Sequence, residues 1–163
     1  MIRAHDAEQA LSLITKARRV LCICHYAPDG DSLGGCSAMK YVLERELGCK
    51  VTLVSYESLS SNLNDLPCCK EVEFGKDISD LKGEDFDVFL FMDSGAPKAF
   101  SGKLMEKYSP PKNSFIIDID HHDTNTYFGD MNYVDSSKPS ICSLLTDFFI
   151  ENNVKLDREL STR

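Results

Sequence analysis

The sequence lacks any long apolar run. In its 163 residues, no stretch approaches the roughly 20 consecutive apolar residues that a membrane-spanning helix needs. The opening residues, Met1-Ile-Arg-Ala-His-Asp6, also lack the apolar centre of a signal peptide. We therefore expect a cytoplasmic protein with no membrane partner.

Positive charge is scarce as well. The chain has 18 lysines and arginines against 26 aspartates and glutamates, which gives a formal net charge of −8. This balance argues against a broad basic surface that would bind long duplex nucleic acid through many phosphates. A short phosphorylated substrate is still compatible with it, because bound divalent cations would reverse the sign of the charge where acidic residues cluster.

Cysteine pairs with metal-binding spacing are missing. The seven cysteines include no C-x-x-C pair, and their number is odd. Cys22, Cys24 and Cys49 lie in or beside apolar stretches, which favours buried, reduced thiols. Cys68 and Cys69 are adjacent, but no second pair supports a metal site there. With 42% hydrophobic and 27% charged residues, the composition fits a single domain over residues 1–163.

Histidine is rare, and its placement is informative. Of the four histidines, His25, His121 and His122 follow apolar runs, whereas His5 is interpreted as an ordinary surface or core residue. His121 and His122 stand directly behind Asp120, after the strand-like run Ser114-Phe-Ile-Ile-Asp-Ile119. Three potential metal or phosphate ligands would thus lie where a strand ends, the edge at which open α/β sheets bind ligands.

A second set of ligands follows the apolar run Val20–Cys24. The segment from His25 to Gly35 offers one imidazole and the carboxylates of Asp29 and Asp31, and hard divalent ions such as Mn²⁺ accept such a mixed set. Its glycines would let the backbone approach a phosphate near the start of the following helix. The same segment is also a good turn and helix cap, so a purely structural interpretation stays open.

A third apolar run, Asp87–Met92, ends at Asp93. A carboxylate that lies between two other sets of ligands is the natural bridge of a two-metal centre, in which the ions are about 3.5–4 Å apart. The alternative is that Asp93 caps a following helix, which the pattern predicts over Pro97–Tyr108.

The remaining pattern predicts an α/β fold. We expect a mostly parallel sheet of about five strands, with helices on both faces and the site residues at the C-terminal ends of the strands. Helices are predicted over Ala7–Ala17, behind Gly35 and over Pro139–Asn152, and a further helix starts at Leu156. The predicted strands are Val20–His25, Lys50–Tyr56, Val72–Phe74, Asp87–Met92, Ser114–Ile119 and Met131–Asp135.

Taken together, these motifs resemble the DHH phosphoesterase superfamily, most closely its branch of oligoribonucleases and 3′-phosphoadenosine-5′-phosphate phosphatases. The resemblance runs from Val20 onward. It rests on four ordered segments: His25-x-x-Pro-Asp-Gly-Asp-Ser-x-Gly34, Asp93-Ser-Gly95, Asp120-His-His122 and Phe128-Gly-Asp-x-Asn-Tyr-Val-Asp135.

The resemblance implies a hydrolase with two Mn²⁺ ions, for which Mg²⁺ or Co²⁺ are possible substitutes. By motif position, His25, Asp29 and Asp93 would hold one ion, while Asp31, Asp93 and His121 would hold the other. His122 would face the substrate phosphate, and Asp120 would orient the ligands from behind. The implied substrates are short oligoribonucleotides and nucleotide phosphomonoesters such as 3′-phosphoadenosine-5′-phosphate.

Departures from the family pattern leave alternatives open. Relatives continue into a fourth motif and a C-terminal substrate-binding domain, which leads us to expect an incomplete catalytic domain here. Ser143 stands where relatives frequently have an acidic residue, and Gly35 where serine or alanine is common. The alternatives are a catalytically incompetent metal- or nucleotide-binding fragment, and the sister activities of exopolyphosphatase or inorganic pyrophosphatase.

Overall fold

The fold is an α/β arrangement around one six-stranded sheet. The computed structural model describes residues 7–81, 85–101 and 113–163. All strand pairs are parallel, and the strand order is β3-β2-β1-β4-β5-β6. The strands are β1 (Arg19–Ile23), β2 (Lys50–Ser55), β3 (Val72–Phe74), β4 (Val88–Met92), β5 (Phe115–Asp120) and β6 (Met131–Val134). The predicted α/β class is confirmed, with six strands where about five were expected.

The central strands are continuous apolar runs because both faces of the sheet are covered. Every residue of β4 is buried, and so is every residue of β1 after Arg19. Cys22 in β1 lies in register with Leu53 of β2 on one side and with Leu90 of β4 on the other. The short strand predicted over Val72–Phe74 is present at one edge of the sheet.

Capping residues set the helix ends. The helices are α1 (Ala7–Ile14), α2 (Gly30–Leu47) and α3 (Ile141–Glu151). The Asp29 side chain caps α2 by accepting from the backbone N–H groups of Asp31 and Ser32, and Gly48 ends α2 with a φ of 66°. The Ser140 side chain caps α3. Helix α1 ends three residues before the predicted Ala17, although Ala17 still packs in the core.

The two faces of the sheet are covered differently. The three α-helices pack together on one face, where they bury residues such as Ile14, Met39 and Phe148. In the described part of the chain, the other face packs against 3-10 turns and loops through Ile78, Phe100 and Phe128. The helix predicted over Pro97–Tyr108 begins as a 3-10 turn, and its residues from 102 onward lie outside the described residues.

The state of the cysteines agrees with the expectation from the sequence. All seven cysteines are free thiols, and Cys22, Cys24 and Cys49 are buried, as the apolar sequence around them predicts. Among the helices in the described part of the chain, none is both long enough and apolar enough to span a membrane. The segment after Leu156 forms only a 3-10 turn, Leu160–Thr162.

The packing of α3 generates a stability prediction. Phe148 is fully buried and makes edge contacts with the rings of Tyr133 and Phe149, whereas Ile150 on the same helix is 57% exposed. We expect Phe148→Ala to lower the free energy of unfolding by about 3–5 kcal/mol. Ile150→Ala should change it by less than about 0.5 kcal/mol. Urea denaturation followed by circular dichroism measures both, and equal losses in the two variants would contradict this packing.

Candidate metal centre

The predicted ligands meet at the C-terminal edge of β1, β4 and β5. His25 follows β1 by two residues, Asp93 directly follows β4, and His121 directly follows β5. In the strand order, the chain adds strands outward on one side of β1 and then continues on the other side with β4. This reversal opens a crevice outside the strand ends, the usual ligand site of open α/β sheets.

Asp93 is the centre of this crevice. Its Oδ2 atom lies 3.8 Å from His25 Nε2, and its Oδ1 atom lies 3.2 Å from His121 Nε2. The residue is 4% exposed, and Oδ1 accepts no hydrogen bond despite its burial. Its backbone adopts a φ of 65°, a left-handed conformation that aspartate tolerates better than most residues. The chain therefore turns sharply here and places the carboxylate between the two imidazoles.

The two aspartates of the loop after β1 have different supports. Asp29 Oδ1 caps α2 and lies 3.8 Å from His25 Nε2. Asp31 accepts hydrogen bonds from the backbone N–H groups of Ile141 (2.8 Å) and Cys142 (3.2 Å) at the start of α3. Its Oδ2 atom also lies 3.7 Å from His121 Nε2. The capping interpretation of this loop and the ligand interpretation are thus compatible, because the carboxylates that cap the helices also face His25 and His121.

The adjacent histidines face different partners. His121 Nδ1 lies 3.2 Å from the carbonyl oxygen of Lys138, which can only accept, so Nδ1 carries the proton and Nε2 presents a lone pair toward Asp93. His122 Nδ1 lies 2.6 Å from Asp120 Oδ1. Asp120 is fully buried behind both rings, and its Oδ1 atom also accepts from the backbone N–H of His121 at 2.8 Å.

Asn125 supports the Asp120 carboxylate through its other oxygen, Oδ2. Its side-chain amide donates to Asp120 at 2.6 Å and to Asp118 at 2.9 Å. Asn125 is 9% exposed, and its side chain is directed inward toward these two carboxylates. Gly95 is required nearby, since a Cβ atom there would lie 2.6 Å from the Asn125 Cα.

Burial and neighbouring charge shift several pKa values. Burial lowers the pKa of His25, and the nearby Asp29 only partly opposes this effect. Burial also disfavours the charged form of His122, but its hydrogen bond to Asp120 and the Asp120 charge outweigh it and raise the His122 pKa. Burial raises the pKa of Asp118 to about 8, although the hydrogen bond from Asn125 acts in the opposite direction.

A cleft of about 900 Å³ opens over the cluster. All the predicted metal ligands and His122 line it, and Asp120 lies behind it. Two groups of side chains have ligand atoms close enough to share one metal ion: His25 with Asp29 and Asp93, and Asp93 with His121 and His122. The first group matches the predicted set, whereas the second contains His122 in the place of Asp31.

Sequence reasoning missed four residues of this region. Asn125 donates to both Asp120 and Asp118, while Ser94 and Lys98 line the cleft. Asp118 had a signal, because an acid two residues before Asp120 in an otherwise apolar strand must lie on the same side of the sheet. Lys98 had none, since a lysine in a loop usually faces water.

Comparison with known proteins places the sequence among characterised relatives. Residues 19–162 match the model of the DHH family, N-terminal domain. A probable bifunctional oligoribonuclease and PAP phosphatase NrnA of Streptococcus mutans is 26% identical over 132 residues, which are 81% of this chain and 38% of that protein. The bifunctional oligoribonuclease and PAP phosphatase NrnA of Thermus thermophilus is 29% identical over 138 residues, which are 85% of this chain and 38% of that protein.

The fold also has a solved counterpart. A crystal structure of an exopolyphosphatase-related protein from Bacteroides fragilis superposes with a TM-score of 0.76 at 18% identity, over 88% of this chain and 42% of that one. The chain thus spans less than half the length of each of these proteins. Since the family model matches most of the sequence, from residue 19 to residue 162, this chain belongs to the DHH family.

Proposed function

We propose that this chain is the metal-binding catalytic domain of a phosphoesterase that uses two Mn²⁺ ions. Its substrates are short oligoribonucleotides and nucleotide phosphomonoesters such as 3′-phosphoadenosine-5′-phosphate. The observation that carries the proposal is that the two carboxylate oxygens of Asp93 face different imidazoles, those of His25 and His121. A carboxylate shared between two sets of ligands is typical of two-metal hydrolases. The names of the two NrnA relatives support the nucleotide substrates.

The donor set fits a pair of hard divalent cations. The Asp93 Oδ1 atom is buried without a hydrogen bond, a costly arrangement unless a cation or a proton meets it. His121 donates its other ring N–H to a backbone carbonyl, as most metal-ligating histidines do. We assign His25, Asp29 and Asp93 to one ion, and Asp31, Asp93 and His121 to the other.

The chain's own residues would bind and orient the substrate phosphate. Bound divalent ions would lower the pKa of an attacking water and offset the negative charge of the phosphate. His122 lines the cleft with its Nδ1–H held by Asp120, so the protonated ring can donate its Nε2–H to a phosphate oxygen. Because Asp120 raises the pKa of His122, this donor carries positive charge over a wider pH range than a free histidine. Asp120, fixed by Asn125, acts as a positioning residue.

Lys98 adds a second attraction for phosphate. It is the only lysine or arginine among the described residues that line the cleft, and no other described residue forms an ion pair with it. The long-range charge of the chain is negative, so this local cation and the bound metal ions would have to draw the substrate in. That balance favours a small phosphorylated molecule over a long polyanion.

Metal uptake tests the shared carboxylate. Partners outside the first ligand sphere typically contribute about 10- to 100-fold in metal affinity, and a shared ligand should contribute at least as much. We therefore expect Asp93→Asn to lose tight binding of both ions in a calorimetric Mn²⁺ titration. Asp65→Asn is the matched control, because Asp65 is an exposed loop carboxylate that does not line the cleft. Equal uptake by the two variants would count against the assignment.

The stability of the metal-free chain should depend on pH through the same residue. Burial, with help from the charges of Asp31 and Asp29, raises the pKa of Asp93 to about 8, far above its value in an unfolded chain. The folded state therefore binds the extra proton, and its stability falls as the pH rises from about 4 to about 8.

The Asp93→Asn variant lacks the titrating carboxyl group and therefore its pH-dependent contribution to stability. With a chelator present, the variant should gain stability over the parent chain as the pH rises from 5 to 8.5, as measured by urea midpoints. Asp118 titrates in both proteins and cancels in the difference. A difference that stays constant over this range would show that Asp93 is not the group responsible.

Comparison of the rate of phosphate release with Mn²⁺ affinity separates the role of His122 from that of the proposed metal ligands. Removal of a positioned proton donor typically costs about 10²- to 10⁴-fold in rate. We expect His122→Asn to lower phosphate release from 3′-phosphoadenosine-5′-phosphate by this factor while Mn²⁺ affinity is retained. Asp65→Asn, outside the cleft, is again the control. Loss of Mn²⁺ binding in His122→Asn would instead make His122 a ligand, as its grouping with Asp93 and His121 allows.

A further inference from the structure

Two tyrosines form a stacked pair beside the metal centre. Tyr26 directly follows His25, and Tyr56 directly follows the last residue of β2. Their ring centroids are 5.3 Å apart and their planes differ by 20°. Because β1 and β2 are parallel neighbours, their C-terminal ends share one edge of the sheet. The pair therefore flanks the ligand cluster on the β2 side, and Tyr26 lines the cleft itself.

The backbone holds this pair in place from two directions. The Tyr26 N–H donates to the carbonyl oxygen of Ala99 at 2.5 Å, and the Tyr26 carbonyl accepts from the Glu57 N–H at 3.2 Å. Ser55 adds a hydroxyl contact to the His25 carbonyl at 3.5 Å. A ring fixed in this way loses little conformational freedom when a ligand stacks on it.

The pair is not part of the core packing. Neither ring belongs to either of the two hydrophobic clusters, and Tyr56 is 37% exposed. A ring that binds a planar ligand needs an open face, and the partly exposed Tyr56 ring meets that requirement. Of the four large exposed hydrophobic side chains in the described residues, Tyr56 alone stacks on a residue that lines the cleft.

Nucleobases are the planar groups that nucleotide substrates carry near their phosphates. Every base has a π-face that stacks on an aromatic side chain, with a contribution of about 1–3 kcal/mol per base, and the interaction tolerates any base. We propose that Tyr26 and Tyr56 form a nucleobase platform for a substrate whose phosphate lies at the His25–Asp93–His121 cluster. The platform selects base-bearing phosphoesters over base-free phosphates such as pyrophosphate or polyphosphate. This inference rests on the proposed phosphoesterase function and adds the residues that distinguish its substrates.

Equilibrium binding tests the platform without relying on turnover. The probes are the hydrolysis-resistant methylene phosphonate analogues of adenosine 5′-monophosphate and of ribose 5-phosphate, titrated into the full chain loaded with Mn²⁺. We expect the adenosine probe to bind about 5- to 150-fold more tightly, the factor that corresponds to one stacked base. Tyr26→Leu and Tyr56→Leu should remove most of this factor and leave the ribose probe unaffected. The chain contains no tryptophan, so quenching of tyrosine emission gives a second readout of stacking.

Three matched variants complete the design. Tyr26→Phe and Tyr56→Phe keep the rings and should keep the preference for the base. Tyr127→Leu removes a more exposed ring that lies outside the cleft and should change neither affinity. Equal affinity of the unmodified chain for the two probes would overturn the platform, even if the leucine variants fail to fold, and would leave the phosphoesterase proposal intact. If neither probe binds, the phosphate site itself is wrong, and the platform fails with it.

Discussion

The crowding of negative charge around one buried carboxylate is the constraint on which the rest of the site depends. Asp93 is held at the point where the strand order reverses, between the imidazoles of His25 and His121 and beside two further aspartates. Burial and like charge together make its ionised form unfavourable. Positive charge from the proposed cations would relieve that cost.

The surrounding structure resists relaxation of that arrangement. Asp31 is tied to the start of α3, a helix more than 100 residues away in the chain, by two backbone hydrogen bonds. Asp120 accepts a hydrogen bond from Asn125 through Oδ2 and contacts His122 Nδ1 through Oδ1. Because these supports come from the helix layer and from the loop after β5, small movements of one element cannot separate these side chains without breaking hydrogen bonds. Such rigidity is what a metal centre needs to fix its ligand geometry.

The sequence predicted where the site lies more fully than what holds it together. Apolar runs that end in an acid or a histidine located β1, β4 and β5 to within about two residues, and parallel pairing then brought His25, Asp93 and His121 to one edge. Periodicity is a local property, however. It carries no information about the contact between Asp31 and α3 or about the inward turn of Asn125, both of which depend on tertiary packing. Helices were also expected on both faces of the sheet, whereas the three described α-helices share one. Periodicity does not show which face a helix covers.

Anomalous diffraction at the manganese absorption edge, from crystals grown with Mn²⁺, tests the central claim most directly. The account predicts two peaks about 3.5–4 Å apart, one on each side of the Asp93 carboxylate, with His25 next to one and His121 next to the other. A single peak that does not touch Asp93, or ions bound only to exposed acidic residues, would contradict it.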